Sequence, residues 1–331
     1  MPRTPTLEDV ARAAGVSRQT VSNVLNSPDV VRDTTRTRVE QVIAELRYRP
    51  HAAARRLRTQ RSSTIGIHLD PYAGGISGVI LDRFVHALIE RAGERGNRIL
   101  VYAARGQDEE IAQLSELFEA GEIDSVVLTG TVHDDHRTAW LIANDQSFVS
   151  FGRPWGASAS EQAAIRWVDV DGATGTRAAT QHCVDRGAQR VAFLGWPDGS
   201  GQGGERERGW RETMREARLL APAFTANDVV REAQAVIAQA LVADESAFDA
   251  IVCASDTLAV GAHLALAALG RAATPVVGFD NTPVAEALGL SSVEQEPEQV
   301  ADAVLSLLLD DASANQVSGR HLLVTPRLIV R

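Results

Sequence analysis

Between residues 64 and 278, short apolar runs alternate with helical stretches, and this alternation fixes the fold class of most of the chain. The runs fall at 65–69, 99–102, 125–128, 148–151, 167–170, 190–194, 249–253 and 275–278. Apolar residues at helical spacing occupy 79–91, 109–120, 175–186, 206–219, 230–243 and 257–269. Strand–helix alternation on this scale means parallel sheets covered on both faces. So many strands are too many for one ordinary doubly wound sheet, so the expected core is two such lobes facing each other across a cleft. The 331 residues suffice for two or three domains with cores of their own.

Residues 6–46 follow a different rule, with helical periodicity only. Thr6 followed by Asp9 reads as an N-cap ahead of Leu7, Val10, Ala11 and Ala14. Gly15 supplies the positive φ that ends this helix, and Val16 plugs the turn. Ser17 is expected to cap a second helix with Val21, Val24 and Leu25 inward. Asp33 is expected to cap a third, with Val39, Val42, Ile43 and Leu46 on one face. Two short helices joined by a tight glycine turn, then a supporting helix, make a helix-turn-helix head. Pro50 breaks the pattern, and residues 51–58 have room for only about two helical turns, a length that is marginal alone in water. This stretch reads as a linker that orders against a partner.

Charge divides the chain at the same place. Residues 1–62 hold 12 Arg against 6 acids, whereas the remaining 269 hold 21 Arg against 37 acids. The overall net charge of −10 therefore conceals a basic module on an acidic body, the pattern of a nucleic-acid-binding head. All 33 basic residues are Arg, which coding bias explains as well as function does. With 44% hydrophobic and 23% charged residues, wholesale disorder and collagen-like classes drop out. No run approaches the ~18 uncharged apolar residues of a membrane helix, and the start, MPRTPTLEDV, has no apolar signal region. Cys183 and Cys253 sit in apolar stretches and read as small buried hydrophobes in a reducing cytoplasm.

The segment TLEDVARAAGVSRQTVSNVLN, then VRDTTRTRVEQVIAELRYRPHAAARRLRT and STIGI, closely resembles the start of the lactose-repressor (LacI/GalR) family of bacterial transcription regulators. RVAFLG, ERERGW, ASDTLAVGA, PVVGFDNT and LSSVEQE continue the resemblance in order, so it covers essentially the whole chain. It implies an all-α helix-turn-helix head (1–49), a hinge helix and linker (50–62), and a core of two doubly wound parallel-sheet lobes of periplasmic-binding-protein type (63–331). With three crossings between lobes, lobe 1 is expected at 63–165 and 291–320, and lobe 2 at 166–290 and 321–331.

A recognition helix presents its N-terminal residues to base edges in the major groove. Here these are Ser17, Arg18, Gln19 and Thr20, with Asn23 one turn on. Arg pairs bidentately with guanine, and Gln or Asn with adenine. The resemblance makes Arg18 and Gln19 the main specificity pair; relatives often carry Arg where this chain has Asn23. Ser17, Thr20, Ser22 and Asn26 suit phosphates, which position the head. By resemblance, Leu57, set among Arg55, Arg56 and Arg58, wedges between base steps in the minor groove, with Ala54 nearby. Thr6, Leu7, Tyr48 and His51 complete the expected DNA-side set. A reader of one half-site needs a second copy, so a homodimer on a near-palindromic operator follows. The helix at 257–269 is apolar enough for core and dimer face together, and the end, TPRLIVR, lacks a leucine heptad, so tetramers are not expected.

The resemblance also implies a small molecule, usually a sugar or nucleobase, held between the lobes. Arg206 matches the cleft arginine, Asp280 the cleft aspartate, Asp256 another ligand-side polar position and Gln295 a position near a crossing strand. Tyr72, Trp155, Trp196 and Phe279 are candidate stacking platforms for sugar rings. The loop DPYAGGISG departs from the family pattern, so no contacts carry over to it. Gly199, Gly201 and Gly204 spell G-x-G-x-x-G, but no acid-ended strand follows, so a mobile loop beside Arg206 is expected instead of a dinucleotide site. His133, Asp134, Asp135 and His136 are adjacent residues that splay apart and read as an exposed loop, not a metal site. The expected function is a cytoplasmic, nucleoid-associated repressor, with no cofactor, no membrane and no enzyme activity, released from operator DNA by a mono- or disaccharide. A corepressor-dependent regulator and, further off, a sugar-modifying enzyme with a DNA-binding head are the alternatives.

Overall fold

The computed structural model describes residues 5–48, 61–69, 78–133, 135–158, 162, 165–197, 201–309 and 321–331. They fall into two compact units, residues 1–62 and 63–331.

The head has α1 (Leu7–Ala14), α2 (Arg18–Asn26), a 3₁₀ turn (Pro28–Val30) and α3 (Asp33–Glu45). The Asp9 N–H donates to the Thr6 hydroxyl at 3.3 Å, while the Asp9 carboxylate accepts the Thr6 N–H at 2.9 Å, a reciprocal capping box. Gly15, at φ 64°, turns the chain into α2, whose first turn is capped by Ser17. Asp33 does not cap α3: it is the first helical residue, Arg32 stands at the N-cap, and the Asp33 carboxylate pairs with Arg36 at 3.0 Å. Val10, Val21 and Val39, one from each helix, are completely buried and define the head's core.

The larger unit contains two six-stranded sheets. The first has the order β11 (His321–Val324), β5 (Trp167–Val170), β4 (Phe148–Phe151), β3 (Ser125–Leu128), β1 (Thr64–His68), β2 (Arg98–Tyr102), all parallel. Its side chains alternate between two cores, as a two-residue period requires. Ile65, Ile67, Val127, Val149 and Val168 pack beneath α4 (Gly78–Glu94) and α12 (Pro297–Leu309). Val126, Leu128 and Phe148 pack on the other face beneath α5 (Gln107–Glu119) and α6 (His136–Ala143).

The second sheet has the order β12 (Arg327–Ile329), β10 (Ser291–Glu294), β9 (Val276–Phe279), β8 (Ala250–Cys253), β6 (Val191–Gly195), β7 (Ala223–Thr225), with only β12 antiparallel. It is covered by α7 (Gly172–Asp185), α8 (Gly201–Glu216), α9 (Val230–Ala243), α10 (Asp256–Ala268) and the short α11 (Pro283–Ala287). Both cysteines are buried and free in this lobe.

The strands match the expected runs to within a residue at each end, but the lobe boundaries need correction. Trp167–Val170, expected in the second lobe, pairs with β4 and β11 in the first sheet. Ser291–Glu294, expected in the first lobe, pairs with β9 in the second, and only the helix after it packs in the first. His321–Val324 likewise belongs to the first sheet. The three crossings therefore fall at about 171, 295 and 325. Sheet membership depends on which edge remains open for pairing, a long-range matter that a strand's own residues do not record.

Candidate functional site

The head presents one polar surface. Ser17, Arg18 and Gln19 are exposed at the start of α2, and Thr20, Ser22 and Asn23 are half-buried. The Ser17 Oγ accepts the Thr20 N–H at 3.0 Å and lies 2.9 Å from the Thr20 hydroxyl. Gln19 donates from Nε2 to Asn23 Oδ1 at 2.9 Å, so these two amides form one hydrogen-bonding edge, four residues apart on a helix face. Three expected DNA-side residues are engaged within the head. Tyr48 is buried in its core, Leu7 packs against that core, and the Thr6 hydroxyl donates to Asp9 at 2.7 Å. His51, Ala54, Arg55, Leu57 and Arg58 lie outside the described residues, as does the side chain of Asn26.

Parallel sheets leave their carboxyl ends free for binding, and here both sets of ends frame the cleft. Arg206, on α8, is buried and donates to the Ala254 carbonyl. Its guanidinium lies 3.8 Å from Asp280 Oδ1, 3.8 Å from the centre of the Phe279 ring and 5.1 Å from that of Trp196. Burial pulls the Arg206 pKa down, against the raising influence of Asp280, Asp169, Asp228 and Asp256. Burial pushes the Asp280 carboxyl up to about 8, although Arg206 opposes the shift. Gln295 donates to Asp280 Oδ1 at 2.6 Å, and the Asp280 backbone is held at φ 113°, a conformation rare for an L-residue.

The structure thus brings together Arg206, Asp280, Gln295, Trp196 and Trp155. Two other expected cleft residues are corrected. Asp256 is wholly buried within the second lobe: Oδ2 accepts the Thr282 N–H at 2.6 Å and hydroxyl at 2.8 Å, and Oδ1 accepts the Ser292 hydroxyl at 2.6 Å. A carboxylate with three short internal donors is an anchor for β9 and β10, not a ligand group. Phe279 is 1% exposed and its face is covered by Arg206, so it is core and offers no stacking platform. Tyr72 lies outside the described residues.

Three groups escaped the sequence. Arg153, in the loop after β4, donates from Nε to Asp169 at 3.0 Å and reaches Glu205 of α8 with Nη1 at 3.2 Å. Its guanidinium carbon stands 5.3 Å from the Trp155 ring centre. Asp169 is buried, and that burial raises its pKa while Arg153 lowers it. Glu205 is held below the usual carboxylate range chiefly by its hydrogen bond from Arg208. Trp155, Asp169, Gly172, Arg206 and Gln295 enclose a space of about 10 Å³ between the lobes. A roomier cavity, about 530 Å³, lies beside α6 and residues 154–157 of the first lobe. Of its lining side chains only Asp135 and His136 are titratable, and Asp135 is already paired with Arg137 and His136 with Asp108, so the cleft is the better chemical candidate.

Two further expectations change. Gly201 and Gly204 lie in the first turn of α8, not in a loop, and a Cβ on Gly201 would run into the Trp155 indole. Asp135 caps α6 and pairs with buried Arg137 at 2.6 Å, while His136 bonds Asp108 at 2.9 Å. Among the described residues no cluster of His, Cys, Asp and Glu is arranged to hold a metal, and no helix is long and apolar enough to cross a membrane.

A capped three-helix reader joined to a two-lobed binding core defines the class: a DNA-binding regulator with a ligand cleft. The model for bacterial regulatory proteins of the lacI family matches residues 6–51, and that for periplasmic binding protein-like domains matches 180–331. The transcriptional regulator CelR of Thermobifida fusca is 30% identical, over 99% of this chain and 98% of its own length. A solved CelR–cellobiose complex superposes with a TM-score of 0.71 at 28% identity, covering 99% of both chains. The lac repressor dimer bound to operator and an anti-inducer shares the fold, with a TM-score of 0.76 at 24% identity over 99% of this chain and 98% of that one. The chain belongs to the LacI family of bacterial transcription regulators.

Proposed function

We propose that this protein is a sequence-specific transcriptional repressor that binds a near-palindromic operator as a homodimer and is released by a neutral mono- or disaccharide held between its lobes. The observation that carries the reading is the pairing, in one chain, of an exposed Arg18–Gln19 edge on a capped helix with the convergence of Arg206, Asp280 and Gln295 in the cleft. The cellobiose bound by its relative supports a sugar as the ligand class.

Arg18 reads guanine and the Gln19–Asn23 edge reads adenine, while Ser17, Thr20, Ser22 and Asn26 meet phosphates. Leu57 and its dimer mate wedge the central step, flanked by Ala54, Arg55 and Arg58. Leu264 and Leu269, 39% and 42% exposed on the second lobe, suit a dimer face. An effector in the cleft resets the angle between the lobes, shifts the first lobe of each subunit against its mate and separates the hinge segments. A differential affinity of ~3–4 kcal/mol for the DNA-incompetent state lowers operator occupancy several-hundredfold. The repressor works in the cytoplasm on the nucleoid.

A thermal-shift screen of the full chain against mono- and disaccharides tests the effector claim. A ligand at 100 times its dissociation constant adds ~2.7 kcal/mol and raises the melting temperature. A sugar that does so should also release operator DNA; stabilisation without release would contradict the proposal.

A further inference from the structure

Arg153 and Glu205 meet across the cleft from opposite lobes, and each has a second partner on its own side. Arg153 keeps Asp169 at 3.0 Å, and Glu205 keeps Arg208 at 2.7 and 3.1 Å. Beside them the Trp155 indole lies against the backbone of Gly201, also from the opposite lobe. We propose that the Arg153–Glu205 pair, backed by Trp155 on Gly201, is a latch between the lobes that the effector must displace, its ring hydroxyls taking the place of the Glu205 carboxylate on Arg153.

The latch rests on the effector reading of the cleft and goes beyond it in assigning these residues. The space of about 10 Å³ beside Arg206 and Gln295 is room for about one water, so a sugar ring needs this part of the cleft to widen. Parting strands neither charge, because Asp169 and Arg208 remain in place, which makes the latch reversible at low cost. The Arg153 guanidinium also stays oriented, by Asp169 and by the Trp155 and Trp167 rings at 5.3 and 5.8 Å. Its freed N–H edge then faces the opening, and adjacent hydroxyl oxygens match such an edge. The Arg153 and Glu205 side chains are 21% and 19% exposed, so salt weakens the pair.

The test is an inter-lobe distance in the full chain, read with no sugar present. Ala112 on α5 and Ala178 on α7 are exposed, one in each lobe, and both native cysteines are buried, so Ala112→Cys with Ala178→Cys takes two spin labels. The short-distance population should dominate at low salt. Glu205→Gln should raise the long-distance population several-fold, and high salt should do the same to the unsubstituted cleft but not to Glu205→Gln. Gly201→Ala, a steric wedge under Trp155, should lengthen the distance at every salt concentration. Arg208→Gln, which leaves the cross-lobe contact in place, should not. Distances unchanged by both Glu205→Gln and Gly201→Ala would overturn the latch. The sugar found by thermal shift should bind Glu205→Gln several-fold more tightly than the parent, and equal or weaker binding would overturn displacement. Loss of operator release with the distance shifts intact would count against the effector reading and not against the latch.

Discussion

The Arg206 guanidinium lies 3.8 Å from the Asp280 carboxylate, and both side chains are buried. The pair has one charge more firmly fixed than the other. Desolvation holds the acid up near 8 despite its cationic neighbour, so around neutrality Asp280 keeps its proton in much of the population. The cleft therefore offers a hydrogen-bond donor where its sequence advertises an acceptor.

That inversion gives stability a definite pH dependence. Between the ordinary aspartate value and about 8, the folded chain holds a proton that the unfolded chain has released. The contribution of Asp280 is thus fully present below about pH 4 and is lost as pH rises through its folded value. Urea unfolding from pH 5 to 9 should show stability declining, and Asp280→Asn should flatten the decline. An unchanged slope in the variant would place the titration elsewhere.

Replacing Arg206 with Gln should abolish the effector response while operator affinity is retained. Stability should fall by about 1–3 kcal/mol, the cost of a lost buried hydrogen bond. The loss stays modest because Asp280, deprived of its partner, takes up a proton instead of standing as a bare charge. Operator titrations with and without sugar, alongside denaturant unfolding, separate the two effects.

Two glycines of α8 should respond in opposite directions. A Cβ on Gly209 would run into the Ala173 carbonyl where α7 and α8 cross, and overpacking of this kind costs about 1–3 kcal/mol. Gly204 is exposed with nothing within 4 Å of an added Cβ, so Gly204→Ala should stabilise the helix by up to ~1 kcal/mol. Melting temperatures of the two variants decide the matter.

In the head, Arg18→Ala should cost about 1–3 kcal/mol at one base pair per half-site and relax preference there. Ser17→Ala removes the α2 cap and should cost about 1 kcal/mol of head stability, with base preference unchanged. Binding to single-position operator variants distinguishes these patterns.

The head was legible because its grammar is local: Thr6, Asp9, Gly15 and Ser17 act within a turn of where they stand. Strand positions were legible for the same reason. The crossings were not, since Trp167–Val170 and Ser291–Glu294 are assigned by pairing with distant strands. In the cleft, the side chains of Arg206, Asp280 and Gln295 lie together. Asp256 does not join them, because its first-turn carboxylate is claimed by Thr282 and Ser292, which sequence places 26 and 36 residues away. Arg153 and Glu205 were missed because an exposed-looking loop arginine and a helix glutamate reveal their partnership only once the lobes face each other.

The most direct trial of the account is a selection of bound fragments from a random duplex library by the purified full chain, repeated with the sugar that stabilises it. A two-fold symmetric site whose half-sites lose affinity with Arg18→Ala should be enriched, and the sugar should release it. Recovery of no symmetric site above bulk DNA, with or without sugar, would contradict the account.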